Sequence, residues 1–469
     1  MTTLTAPAPT STLPPKRRWR ELALVLAGAV AASNTAVMRV VGGPRALVVL
    51  PLAALVGVGL LRLAWSRLSV FVLVVLVVRS SLDVARLGSG DALLNPASLL
   101  GLLFSVTAIL WLCLRRRERV PHRMTFAEVG VLAYFGACFL SLFTSESPYT
   151  SATEVARILA AVSMFLVVDR LLATERDARR VMAAILASAV VPLLVAMSGL
   201  ALGFRLTETK DQLQRLTSTF SQSNPFGHFL VVLIVAAVAL LPHVVRRHQV
   251  VLGVLLAGML PALLLTYTRG AWIGLIVGLV VVGIVDNRAL LAVLVVGILL
   301  VLVAVPSVTG RVTEIGSNPY PDQRLDSLAW RFHHWGEVLP LANGNPITGI
   351  GLKVTAQKTD KLPHNDYVRA YVETGVIGLL AYVLLLAALV VTGWRALRRS
   401  PHRGFRRGVA VGFLAYAVAF AVVSGADNLS SQVVVLWYIF AFAAVANWVA
   451  RTGDAVPVDV RPELAEAER

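Results

Sequence analysis

Pro363-His364-Asn365-Asp366-Tyr367-Val368-Arg369-Ala370-Tyr371-Val372-Glu373-Thr374-Gly375 is the densest group of polar and ionisable side chains in the sequence, and it leads straight into the apolar run Val376 to Thr392. Proline has a fixed φ and no N–H, and neither does harm at a first helical position. Pro363 therefore predicts the start of a helix that continues into the apolar run. On such a helix His364, Tyr367 and Tyr371 share one face, at offsets of three and seven. Composition alone reads the stretch as an interfacial helix with tyrosine anchors at headgroup level. The competing reading is a catalytic histidine at a membrane surface.

Working outward, apolar runs of about 20 residues recur along nearly the whole chain, each long enough to cross a hydrocarbon layer. The 469 residues are 57% hydrophobic and only 15% charged, which excludes a large soluble core and makes this a polytopic membrane protein. An excess of 43 Lys+Arg over 26 Asp+Glu would point to nucleic acid in a soluble protein. Here the arginines fall mainly in short loops between spans, so the charge reads as topology and no nucleic-acid partner is expected. Arginine outnumbers lysine, and Ala, Val and Leu dominate, a composition that fits a high-GC bacterium. Cys113 and Cys138 fall in different predicted spans and towards opposite faces, which argues against both a disulfide and a thiolate metal site.

The expected fold class is all-α, with about 12–14 transmembrane helices and one long extracytoplasmic loop carrying amphipathic helices. Residues 1–20 form a disordered cytoplasmic N-terminus, 21–307 a first transmembrane bundle, and 308–371 the long loop with His364. Residues 372–450 hold the C-terminal spans, and 451–469 a cytoplasmic tail. The first span follows Lys16-Arg17-Arg18-Trp19-Arg20 and is expected to stay as an anchor. Further spans are expected near 45–64, 68–87, 96–114, 126–144, 153–172, 180–203, 226–244, 249–267, 271–286, 289–307, 375–393, 406–424 and 430–450. With the N-terminus inside, Arg115–Arg119, Arg176–Arg180, Arg246-Arg247 and Arg395–Arg407 all fall in inner loops, whereas 144–152 and 424–431 hold no Lys or Arg. The registration of inner and outer loops holds throughout and puts both termini in the cytoplasm. Within the long loop, Leu325, Leu328, Ala329, Phe332, Trp335, Val338 and Leu339 recur at helical spacing opposite Arg324, Arg331 and Glu337. That pattern predicts an amphipathic helix on the outer membrane face.

Arg215, Arg269, Arg324, Arg331 and His364 all fall outside, where the same rule should thin arginines. Arg269 sits in Thr266-Tyr267-Thr268-Arg269-Gly270-Ala271, a hairpin between two spans, with no nearby acid in sequence. Arg215 lies just ahead of Asn224-Pro225-Phe226-Gly227, with Glu208 and Asp211 as possible local partners. A guanidinium is always charged and pairs bidentately with phosphate oxygens, so two of them beside a bilayer suit a lipid diphosphate. Arg157 follows Glu154 by three residues and pairs with it along a helix, yet as an ionisable residue in a span it stays a weak functional candidate. His333-His334 with His364 lacks ligand spacing, so no metal and no other cofactor is expected.

These pieces together resemble the O-antigen ligase and O-antigen polymerase superfamily of bacterial membrane glycosyltransferases. The resemblance runs from Arg215 to Gly227, through Thr268-Arg269-Gly270-Ala271 and Arg331-Phe332-His333-His334-Trp335. It continues through Pro346-Ile347-Thr348-Gly349-Ile350-Gly351 to His364-Asn365-Asp366-Tyr367 and Glu373-Thr374-Gly375-Val376-Ile377-Gly378-Leu379. It implies a membrane-embedded α-helical glycosyltransferase at the outer face of the cytoplasmic membrane, inverting and metal-independent. The donor would be an undecaprenyl-diphosphate-linked glycan and the acceptor a glycan or glycolipid hydroxyl. By position, Arg215 and Arg269 would hold the diphosphate and His364 would orient or deprotonate the acceptor. Arg331, Arg324, Tyr367, Asn365 and Arg157 would line the substrates. A polymerase of the same superfamily differs only in acceptor. A lipid-linked-sugar flippase would need charges at several depths, and mid-span acids are almost absent here.

Overall fold

The computed structural model describes residues 57, 59–83, 96–115, 119–120, 123–202, 207–210, 213–305, 309–310 and 327–453. The first expected span, most of 45–64, Arg324 and the two termini lie outside the described residues. Helices α1 (Leu68–Arg79), α2 (Pro96–Leu114), α3 (Phe126–Leu140), α4 (Pro148–Leu171), α5 (Glu175–Ala187) and α6 (Val190–Leu202) come first. A short antiparallel hairpin follows, β1 (Thr207–Lys210) and β2 (Leu213–Leu216). Then come α7 (Ser223–Leu240), α8 (Arg246–Leu265), α9 (Arg269–Val285), α10 (Ala289–Ala304), α11 (Ser327–Val338) and α12 (Val354–Thr359). The chain ends in α13 (Asp366–Arg399), α14 (Phe405–Val423) and α15 (Val433–Thr452). Among the described residues, eight helices are long and apolar enough to cross a membrane, counting α5 with α6 as one, and four shorter apolar helices accompany them. This is an all-α polytopic membrane protein, with the hairpin as its one addition to the expected architecture.

Burial follows composition. α15 is apolar all round and its residues Val434 to Ala450 are buried, which makes it the centre of the bundle. α7 and α14 are buried over most of their length, whereas α10 buries nothing and lies at the periphery. Local signals set the helix starts. Thr125 with Glu128 and Thr174 with Asp177 form capping boxes at α3 and α5.

The charges at one end of the bundle are largely paired. Arg170 meets Glu128 at 2.5 Å, Arg451 meets Asp169 at 3.0 Å, and Arg407 meets Asp286 at 3.3 Å. Arginines that the positive-inside rule assigns to one side thus also clamp helix ends together.

At the other end, α13 is broken at Gly375, whose φ of 68° and ψ of −169° no helix contains. The break lets residues 346–351 run alongside the chain. Ile350 N–H donates to the Val372 carbonyl (3.1 Å), Gly351 N–H to Glu373 (3.0 Å), and Val376 N–H to Pro346 (2.9 Å). A Cβ on Gly375 would sit 2.1 Å from the Ile347 carbonyl oxygen, and one on Gly349 2.4 Å from the Glu373 carbon. The two glycine-rich motifs of the sequence are therefore one structural unit, in which backbone approaches backbone too closely for any side chain. It fixes the start of α13.

Helix α11 forms where the hydrophobic spacing predicts it, but rotated. Phe332 is 65% exposed, whereas His334 is 3% exposed and Val338 fully buried. Val338 packs with Ala342, Ile350, Val354 and Val372, so it is the 346–376 unit rather than a lipid surface that chooses the inward face.

Candidate functional site

The start of α13 differs from the sequence expectation. The helix begins at Asp366, not Pro363. Asn365 is its N-cap, with Oδ1 accepting from Tyr367 N–H (2.9 Å) and Val368 N–H (3.2 Å). His364 has a φ of 51°, in the left-handed region, which no helix tolerates. The Pro363 carbonyl accepts instead from Trp335 Nε1 at 2.7 Å. His364 is consequently turned off the helix and does not share a face with Tyr367 and Tyr371.

It turns towards Asp427. His364 Nδ1 lies 3.2 Å from Asp427 Oδ1, and His228 Nε2 lies 2.9 Å from Asp427 Oδ2. One carboxylate thus bridges a histidine just ahead of α13 and a histidine in the second turn of α7. Asn428 N–H donates a third bond to Oδ1 at 2.8 Å. The loop that carries Asp427 hangs on the start of α13. Asp366 N–H donates to the Ser424 carbonyl (2.7 Å), Asn365 N–H to Asn428 Oδ1 (3.2 Å), and Ser430 N–H to Asp366 Oδ2 (2.9 Å). Gly270, the second residue of α9, closes the far side. A Cβ there would sit 3.4 Å from Asp427 Oδ2 and 3.5 Å from the His228 ring.

Burial alone would raise the Asp427 carboxyl, but the hydrogen bonds and charges of His228 and His364 outweigh it and hold it well below the usual carboxylate value. An ionised carboxylate only accepts, so the nitrogens facing it, His364 Nδ1 and His228 Nε2, carry the protons. In the neutral imidazole that arrangement keeps the lone pair on His364 Nε2, on a side chain that is 27% exposed. The depressed pKa also fixes a sign. The stability Asp427 contributes is fully present above the unfolded value near 3.8 and is lost as pH falls through the lower folded value. Thermal melts of Asp427→Asn against the parent should therefore show a gap that narrows as pH falls below about 4. A gap that stays constant or widens below that pH would contradict this assignment.

Of the residues singled out in the sequence, the structure brings His364 and Arg331 to Asp427, and Arg269 is next in the chain to Gly270, which lies against it. Arg269 opens α9, adjacent to Gly270. Arg331 on α11 is half-buried; burial lowers its pKa, and the charge of Asp427 partly opposes that. Trp330, one residue earlier, stacks on His334 at 4.8 Å, meets His364 edge-on at 6.0 Å and carries Lys361 over its ring at 5.0 Å. Arg215 is buried on β2, directly across from Glu208, whose carboxylate accepts from Ser223 N–H at 3.1 Å at the start of α7. Asn365 spends its side chain on the cap, and the Tyr367 hydroxyl donates to the Ala421 carbonyl at 2.9 Å, so both are engaged within the protein. Arg157 belongs to a different cluster, 3.1 Å from Glu154, which also meets Lys353 at 3.5 Å. Among the described residues no group of three or more His, Cys, Asp or Glu side chains could hold a metal ion.

Asp427 and His228 are absent from the sequence-based candidates. His228 follows directly on Asn224-Pro225-Phe226-Gly227 and is the one ionisable residue of the apolar run that forms α7. That isolation was the available signal. Asp427 had a fainter one, as the lone acid of a short loop without Lys or Arg.

The family model described as O-antigen ligase matches residues 253–383, a stretch that contains Arg269, Arg331 and His364 but neither His228 nor Asp427. No curated protein matches the chain.

Proposed function

We propose, from the match of residues 253–383 to the O-antigen ligase family model, that this chain moves a glycan from a polyprenyl diphosphate to an acceptor hydroxyl at the outer face of the cytoplasmic membrane. The family supports a membrane glycosyltransferase role in O-antigen processing. The observation that carries the finer reading is the His364–Asp427–His228 bridge beside the first residues of α9.

In this reading the acceptor oxygen attacks the anomeric carbon as the bond from that carbon to the diphosphate oxygen breaks. The hydroxyl proton passes to His364 Nε2, and the electron pair of the broken bond leaves on the diphosphate. Asp427 keeps the imidazole in the tautomer that can accept the proton and then faces the imidazolium with a full negative charge. General-base assistance of this kind is worth about 10²–10⁴-fold. Arg269 neutralises the leaving diphosphate, a task the resemblance gives to Arg215 as well, and an always-charged planar fork suits it better than lysine. The lipid tail of the donor explains why such a site is built at the end of a membrane bundle.

The test is transfer by the purified chain from a labelled undecaprenyl-diphosphate glycan to candidate acceptors. The parent should transfer. Arg269→Ala should lose about 10²–10³-fold, the scale for removing one donor to developing negative charge. No transfer by the parent with any acceptor, or full transfer by Arg269→Ala and His364→Ala together, overturns the proposal.

A further inference from the structure

At the opposite end of the bundle from His364, α7, α8, α9 and α10 enclose a groove of about 500 Å³, within the range of sites that hold a discrete ligand. Its lining is segregated. Arg246, Gln249, Asp286 and Asn287 stand at one end, and Val238, Val250, Gly253 and Val282 form the apolar walls. Arg246 to Gly253 is seven residues of α8, so the groove reaches about 10 Å along the helix from the charged mouth into the apolar layer.

Charge at the mouth is unbalanced. Asp286 is already met by His243 Nε2 at 3.0 Å and by Arg407 Nε at 3.3 Å, and the Gln249 side-chain amide donates to the Leu241 carbonyl at 3.1 Å. Arg246 lines the mouth, and Arg247 and Arg288 are next in sequence to the lining residues Arg246 and Asn287; all three are exposed and make no ion pair among the described residues. Arg246 is also the first residue of a 20-residue helix, where backbone N–H groups and the helix dipole favour an anion. The deep end is open by sequence: a Cβ on Gly253 would meet nothing within 4 Å. A cationic mouth at an interface, continuous with an apolar slot too short for a whole helix, matches a phosphate headgroup followed by the upper part of an acyl chain.

We propose that this groove is a binding site for an anionic glycerophospholipid of the leaflet on the arginine-rich side. The site is independent of the glycan-transfer reading.

The full-length chain would be reconstituted in phosphatidylcholine bilayers containing a minor share of phosphatidylglycerol, then extracted and its retained lipid counted by native mass spectrometry. The parent should retain phosphatidylglycerol about tenfold over phosphatidylcholine. Gly253→Leu adds a side chain at a position where a Cβ meets nothing within 4 Å, and should lose the retained lipid with unchanged thermal melting. Arg246→Ala with Arg288→Ala should retain lipid but lose the preference between headgroups. Equal retention of the two lipids by the parent overturns the proposal, as does undiminished phosphatidylglycerol in Gly253→Leu. Displacement of the lipid by inorganic phosphate alone, or a peptide or polyprenyl phosphate found in its place, overturns it as well.

Discussion

Asp427→Asn is expected to cut glycan transfer by about 10²–10⁴-fold while the chain still folds and inserts. The carboxylate accepts from two imidazoles and a backbone N–H at 2.8–3.2 Å. An asparagine keeps the shape but has one oxygen, and its amide nitrogen donates. Asn428 N–H already donates to the Oδ1 position, so the amide oxygen stays there facing His364 and the nitrogen faces His228, which must present a lone pair to it. His364 keeps its Nδ1 contact but loses the negative charge that stabilises the imidazolium formed when Nε2 takes the acceptor proton. The substitution therefore removes basicity without removing the base. His364→Ala should lose a similar factor, and the double variant little more than either alone, because the two residues act as one unit. His228→Gln leaves the His364 contact intact and is expected to cost less. Initial rates with labelled donor at saturating acceptor measure all four. Additive losses in the double variant would show that Asp427 and His364 act separately and would sink the relay.

Much of this fold was legible because a bilayer leaves a chain few choices. Helices must satisfy their own backbone in hydrocarbon, so apolar runs read as spans, and charge in the loops orders them. Positions that depend on contacts between distant parts of the chain were not legible. Pro363 satisfied every local rule for a helix start, yet Asn365 took that place. The deciding contacts, Trp335 on the Pro363 carbonyl and Asn428 on Asn365, come from segments 28 and 63 residues away. The rotation of α11 has the same origin, since hydrophobic spacing finds a helix but not the surface that will receive it. His228 and Asp427 are 199 residues apart, and each alone is an ordinary polar residue near a span end. The arginines stood out because they contradict a charge rule. A histidine or aspartate contradicts nothing until its partner is in view.

Arg369→Ala should lower stability by about 3–5 kcal/mol, the largest structural loss expected from a single change here. Its guanidinium is 3% exposed and donates from Nε to Glu373 at 2.9 Å and from NH1 to Ser430 Oγ at 2.9 Å, with Asp366 4.0 Å away. Asp366 and Glu373 are wholly buried, and Glu154 nearly so. Removing the cation strands Glu373 and weakens the support of Asp366, while Lys353 and Arg157 are already engaged with Glu154. Arg369→Lys should fall between, because a point charge cannot serve Glu373 and Ser430 in two directions as a planar fork does. Arg369→Met with Glu373→Leu should recover part of the loss, since breaking a buried pair costs more than replacing it. Thermal unfolding in detergent reads the series, and a melting point for Arg369→Ala equal to the parent's would refute the role given to the cluster. The same series separates support from chemistry. Ser430 belongs to the loop of Asp427, so Arg369→Ala should lose transfer in step with stability, and Arg369→Met with Glu373→Leu should regain some of both. Asp427→Asn should lose far more transfer than its melting point accounts for.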